Sequence, residues 1–306
     1  MTRTDRLKLI LLRLLVQAVA CLPFRVLYVL SDGARYLLYY IVRYRRRVVE
    51  ANVAKAFPTH SAAEQQTIVW DFYRFFGDYT IETLKLARMR PEEMRERMHM
   101  QGIEDIEKAF ETHDFVFLML GHYANWEWVS SFGLWANDAH VQASQIYRPL
   151  NDKAVDTLFY ELRTRFGSHN INKYDVVRSL LRLRRSGKKV VCGFISDQSP
   201  SMRSTHAWVD FLHQETAIFT GAERIGQKLN AAYYFVDIER TSRGHYRVTY
   251  RPIFSPITSD TDYPITRQYM ALLETMINRQ PSLWLWSHRR WKFTRQQWQA
   301  ELAREA

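Results

Sequence analysis

Six consecutive apolar residues, Phe115 to Leu120, run straight into Gly121-His122-Tyr123-Ala124-Asn125-Trp126-Glu127. An apolar run of this length reads as a strand. It delivers a glycine, a histidine and then a carboxylate five positions on. Histidine is the side chain best suited to moving a proton near neutral pH. A carboxylate can hold its ring in one tautomer and stabilise the imidazolium. On a regular helix, residues five apart point about 140° away from each other. His122 and Glu127 therefore meet only if His122 sits in the turn and Glu127 in the first turn of the next helix. Gly121 would permit so sharp a passage. A histidine after a strand serves equally as a cap or as a buried hydrogen-bonded residue, so the pair alone leaves both readings open.

The rest of the pattern makes the fold α/β: a mixed central sheet flanked by helices, behind an amino-terminal helical region. Ala62 to Leu86 carries helical periodicity, and Pro91-Glu92-Glu93 resembles a helix start. Val141–Tyr147 and Val190–Ile195 read as further strands. Asp152–Phe166, Asp175–Arg185, Thr220–Leu229 and Tyr263–Arg279 read as helices. Ala232–Ile238 and Tyr246–Ile253 read as a hairpin around Ser242-Arg243-Gly244. The expected division is a membrane-associated anchor over 1–45 and a main domain over 46–306, with a helical lead-in at 46–110 and the α/β core at 111–292.

A net charge of +11 and an aromatic content of 14% suit an anionic partner and a water–lipid interface. No zinc-finger spacing, RNP-like strand or basic heptad favours nucleic acid as that partner. The two cysteines, Cys21 and Cys192, lie in separate apolar runs, which fits neither a disulfide framework nor a metal cluster. No metal and no cofactor are expected. Leu9 to Leu22 is apolar except for Arg13 and Gln17, and is shorter than the roughly 20 residues a spanning helix needs. A second stretch, Val26 to Val42, ends at Arg43-Tyr44-Arg45-Arg46-Arg47. Both read as interfacial helices with their arginines toward anionic headgroups. A tilted span ending near Leu30 and an ordinary helix packed on the core are the competing readings.

Three more segments place reactive side chains after apolar runs: Tyr147-Arg148-Pro149-Leu150-Asn151, Ile195-Ser196-Asp197-Gln198, and Trp284 to Lys292. Ligands of α/β sheets gather outside the carboxyl ends of strands, so His122, Arg148 and Asp197 would share a rim. Arg148 and Asp197 would equally serve as local caps, and Arg163 with Arg165 as a solvated face.

In this order these motifs, together with Asn52…Phe57-Pro58 and Arg163…Phe166-Gly167, resemble the lipid A biosynthesis late acyltransferases. Those enzymes are the lauroyl/myristoyl branch of the lysophospholipid acyltransferase group. The likeness covers nearly the whole chain. It departs between Ser199 and Ala217, where Phe211-Leu212-His213-Gln214 replaces a Phe-Phe-Gly type turn.

The resemblance implies transfer of an acyl chain from a thioester, usually acyl carrier protein, to a hydroxyl of a lipid acceptor at the cytoplasmic face of an inner membrane. His122 would be the general base and Glu127 its partner. Arg163, with Arg148, would bind an anionic headgroup, and Asp197 would support the site. The basic run Arg178, Arg182, Arg184, Arg185, Lys188 and Lys189 would either dock the acidic carrier or simply be solvated. No Gly-x-Ser-x-Gly elbow is present, which suits direct attack by the acceptor without an acyl-enzyme. Two other readings are an O-acyltransferase for another lysolipid and a non-catalytic membrane protein of the same fold.

Overall fold

The computed structural model describes residues 1–254 and 263–305. Its sheet strands are β1 (Met98–Gln101), β2 (Phe115–Leu120), β3 (Val141–Tyr147), β4 (His169–Asn172) and β5 (Lys189–Ile195). A separate hairpin, β6 (Ala207–Phe211) and β7 (Gln214–Ile218), follows, and then β8 (Ala231–Ser242) and β9 (His245–Ile253). Seven strands form one sheet in the order β1-β9-β8-β2-β5-β3-β4. All neighbours are parallel except the β8–β9 hairpin. Every residue of β2 is buried, as its unbroken apolar run requires of a strand covered on both faces.

The helices are α1 (Arg3–Cys21), α2 (Phe24–Tyr36), α3 (Arg46–Ala56), α4 (Ala62–Lys85), α5 (Pro91–Arg97) and α6 (Ile103–Ala109) before the central strand. After it come α7 (Lys153–Thr164), α8 (Val176–Arg185), α9 (Gly221–Lys228), α10 (Pro264–Arg279) and α11 (Arg295–Glu305). Local chemistry starts several of them. Ser61 and Glu64 close a reciprocal capping box on α4. The Asp152 carboxylate accepts from the Ala154 and Val155 amides at the start of α7.

The fold class and the long elements match the sequence reading. The short ones do not. β1 lies inside the expected helical lead-in, where Met98 to Gln101 alternate buried and exposed and pair with β9. Four residues are too few to carry a legible period. β4, with the polar sequence His-Asn-Ile-Asn, is recruited only by its neighbour β3. The Phe211–Gln214 segment that departs from the family pattern is the β6–β7 turn. Leu212 and His213 both adopt left-handed backbone there, with φ of 50° and 60°.

The amino terminus is inverted relative to an ordinary surface helix. Lys8 and Arg13 of α1 pair with Asp152 and Glu161 at α7, and Gln17 faces Arg88. Leu7, Ile10, Leu11, Leu14 and Leu15 point outward. The arginines are thus not all turned to the exterior as expected: Arg13 faces the protein, and Arg45 donates to the Ser287 carbonyl at 3.0 Å. Buried Lys85 of α4 donates to the Ala20 and Leu22 carbonyls, satisfying the end of α1. Among the described residues no single helix is long and apolar enough to cross a membrane. Only Arg3–Cys21 and Phe24–Ile41 together pass on length and composition, and they are bent by 115°.

One gap in the sheet positions everything that follows. β3 and β5 pair as far as Gln145 opposite Gly193. Beyond that point β5 continues beside β2, to Ile195 opposite Leu120, while β3 continues beside β4, to Tyr147 opposite Asn172. The strands part at their carboxyl ends, and a cavity of about 700 Å³ opens there.

Candidate active site

His122 is the second residue after β2 and lines this cavity. The turn that carries it is stitched to the carboxyl-terminal segment. Ala124 N–H donates to the Leu283 carbonyl at 2.8 Å, and Leu285 N–H donates to the His122 carbonyl at 3.0 Å. Ala124, not Gly121, takes the left-handed conformation, with φ of 50°. Gly121 is required for a different reason: a Cβ there would lie 2.9 Å from Leu273 Cδ1 and 3.4 Å from Asp197 Oδ2. The glycine lets the aspartate approach.

Asp197, just past the end of β5, is buried and accepts three hydrogen bonds. His122 Nδ1 donates to Oδ1 at 2.7 Å. The His122 backbone N–H and Trp284 Nε1 donate to Oδ2 at 2.9 and 2.8 Å. Burial works against the charge, but the adjacent His122 and these donors hold the Asp197 carboxyl below its ordinary value. An ionised carboxylate only accepts, so Nδ1 is the donor, and in the neutral ring this leaves Nε2 as the acceptor on the cavity side. The Gln198 amide nitrogen lies 3.3 Å from that Nε2 and occupies its accepting position. Trp126 packs edge-on to the ring, with centroids 5.2 Å apart.

Glu127 does not take this place. It lines the same cavity, but Arg163 of α7 grips it with two bonds, Nε to Oε2 at 2.7 Å and Nη2 to Oε1 at 2.6 Å. It precedes a 3₁₀ turn, Trp128–Leu134, rather than an α-helix. The carboxylate on the His122 ring is therefore Asp197, 75 residues away in sequence. Arg163 is correspondingly engaged with a protein carboxylate instead of standing open for a headgroup. Burial opposes its charge, and Glu127 more than offsets that, so its pKa is raised. Arg148 stands exposed at the rim with Lys173 and Lys292, and none of the three forms an ion pair among the described residues. Of the five residues singled out in the sequence, His122, Glu127, Arg148 and Arg163 line this cavity, while Asp197 is buried against the His122 ring and takes the place expected of Glu127. Sequence reading had no role for Gln198 or Trp284, although both stood in segments singled out for their chemistry.

The Trp284–Trp291 segment supports the site more than it lines it. Asn52 of α3 donates to the Trp286 and His288 carbonyls, each at 2.8 Å, and buried Arg290 donates to the Ala217 carbonyl. His288 Nε2 accepts from the Ser199 N–H at 3.2 Å. Burial, reinforced by Lys292, lowers the His288 pKa to about 4, so the ring is neutral at pH 7. An unfolded histidine binds its proton near pH ~6.5. Between that value and the folded one only the unfolded state holds it, so stability falls as pH drops through the window. Urea midpoints measured across this window are expected to lose one proton-linked slope in His288→Gln. An unchanged slope would assign the titration to another group.

The family described as bacterial lipid A biosynthesis acyltransferase matches residues 4–293. The chain belongs to this family. It is 22% identical over 273 residues to the lipid A biosynthesis palmitoleoyltransferase of Escherichia coli (strain K12), covering 89% of this chain and 86% of that protein. The lipid A biosynthesis acyltransferase of Shigella flexneri matches to the same extent. The lipid A biosynthesis myristoyltransferase of Escherichia coli (strain K12) is 22% identical over 243 residues, 79% of this chain and 73% of that one. The protein is an acyltransferase, and the cavity beside His122 is its candidate active site.

Proposed function

We propose that the chain moves a fatty acyl group from a thioester, carried by acyl carrier protein, to a hydroxyl of a lipid A precursor. The observation that carries this reading is His122, with Nδ1 held by Asp197 and Nε2 turned into a cavity whose walls are apolar below and cationic at the rim. A hydroxyl displacing the Gln198 amide would donate to Nε2. As its oxygen bonds to the thioester carbonyl carbon, the proton passes to His122. Collapse of the tetrahedral intermediate breaks the C–S bond, and the imidazolium returns the proton to the departing sulfur. Asp197 stabilises the imidazolium in between. Glu127 and Arg163 brace the cavity wall. Arg148, Lys173 and Lys292 supply the positive rim for acceptor phosphate groups.

The outward leucines and isoleucine of α1 favour binding at an anionic membrane surface, with the rim toward the cytoplasmic leaflet. The exposed basic groove of Val177, Arg178, Leu181, Arg182 and Arg185 on α8 suits an acidic carrier. A different lysolipid acceptor would keep the same chemistry. A non-catalytic role has no use for an aligned histidine and carboxylate.

The test is transfer from labelled acyl carrier protein to acceptors presented in anionic liposomes, with flotation of the enzyme read in parallel. Label on the lipid A precursor and co-flotation are expected. Label confined to a lyso-phospholipid or lyso-aminolipid would move the pathway. No label on any acceptor would remove the catalytic reading, and failure to float would remove the membrane one.

A further inference from the structure

We infer that Gly193 sets the length of acyl chain the cavity accepts, an inference that rests on the proposed acyl transfer. β5 is an interior strand, held by β2 on one side and β3 on the other. Glycine in such a place weakens a strand and marks a bulge or a close approach by backbone or ligand. Neither of the usual local reasons applies. Gly193 is absent from the left-handed residues. A Cβ built there would meet Leu120 Cδ2 at 3.6 Å, the Ser144 carbonyl at 3.8 Å and Gln145 Cβ at 3.9 Å, all ordinary contacts. The register is regular on both sides of it, opposite Leu118 and Gln145.

What the missing side chain preserves is the empty space. Gly193 lines the cavity and is only half-buried, between buried Cys192 and Phe194. It sits where β3 and β5 part, two residues before Ile195 at the strand end, or roughly 7 Å down the sheet. Further down lie Ala143 and Val191, opposite each other and also on the cavity wall, with Phe132. An acyl chain whose carbonyl is beside His122 would pass over Gly193 to reach them. A larger residue at 193 would stand across that path.

The experiment is a graded series, Gly193→Ala, Gly193→Val and Gly193→Leu, assayed with saturated acyl carrier protein thioesters from medium to long chain. The alanine variant introduces no contact tighter than 3.6 Å and therefore controls for folding. Each methylene excluded from the cavity is expected to lower transfer of the long chains by roughly fourfold. Medium chains keep their rate, so the preferred length shortens as the residue grows. A second readout needs no turnover: displacement of the fluorescent fatty acid cis-parinaric acid by saturated fatty acids of the same lengths. A shortened preference in displacement, with no transfer by the native chain, would sink the acyl-transfer reading and leave the cavity inference standing. The same length profile in all variants, or equal slowing of every length, would overturn the role of Gly193.

Discussion

Replacing His122 with alanine is expected to lower acyl transfer by about 10²- to 10⁴-fold, the usual contribution of a positioned proton-transfer group. The side chain is partly exposed and makes its hydrogen bonds to Asp197 and Gln198, so the fold should survive its loss. The measurement is the single-turnover rate beside circular dichroism of the same sample. A native rate in a folded variant would eliminate His122 as the base. Asp197→Asn tests the partner. An amide cannot accept at both of its heavy atoms as the carboxylate does, so the proton on Nδ1 is no longer favoured. Asp197 is a positioning residue, and its loss should change the pH–rate profile as well as the rate. A purely structural aspartate would lower the amount of folded enzyme and leave the profile unmoved.

Glu127→Ala is expected to destabilise the protein by about 3–5 kcal/mol, because it strands the Arg163 guanidinium in a largely buried setting. Arg163→Ala should cost a similar amount by stranding the buried Glu127 carboxylate. The double variant should lose less than the two combined, as expected for groups in direct contact. Urea unfolding with an unchanged m value is the measurement. The same series separates the two partners of His122. If Glu127→Gln keeps its stability and shifts the pH–rate profile as Asp197→Asn does, then Glu127 acts on the histidine and the observed pairing is not the working one. Activity lost in proportion to stability would assign Glu127 and Arg163 to the cavity wall.

Much of this molecule is legible without coordinates. The unbroken run of Phe115 to Leu120 demanded burial on both faces, and β2 has it. Long helices such as α4 and α10 were legible from the sequence. The motif residues His122, Glu127, Arg148 and Arg163 line one cavity, and Asp197 is buried against the His122 ring. Short elements escaped because four residues carry no period: β1 and β4 exist through their neighbours. The orientation of α1 also escaped. Its polar face of Arg13 and Gln17 looked like one for headgroups, but Glu161 of α7 draws Arg13 inward, and Asp152 at the start of α7 does the same for Lys8. The apolar stripe is left outside as a consequence.

The site divides in the same way. His122 and Glu127 are five residues apart, and nearness in sequence suggested a dyad. The turn at Ala124 and the 3₁₀ geometry after Glu127 give its carboxylate to Arg163 instead. Asp197 reaches the ring because β5 lies parallel to β2 with Ile195 opposite Leu120, so both chains leave the sheet at the same height. Gly121 then leaves room for the carboxylate. The sequence alone determined the long helices and strands, the burial of the central strand, and which side chains carry chemistry, because those follow from local periodicity and side-chain type. Only the tertiary structure decided which carboxylate serves the histidine, which face of α1 meets the exterior, and how deep the cavity runs. Strand order, register and the space between packed elements are properties of contacts between distant segments.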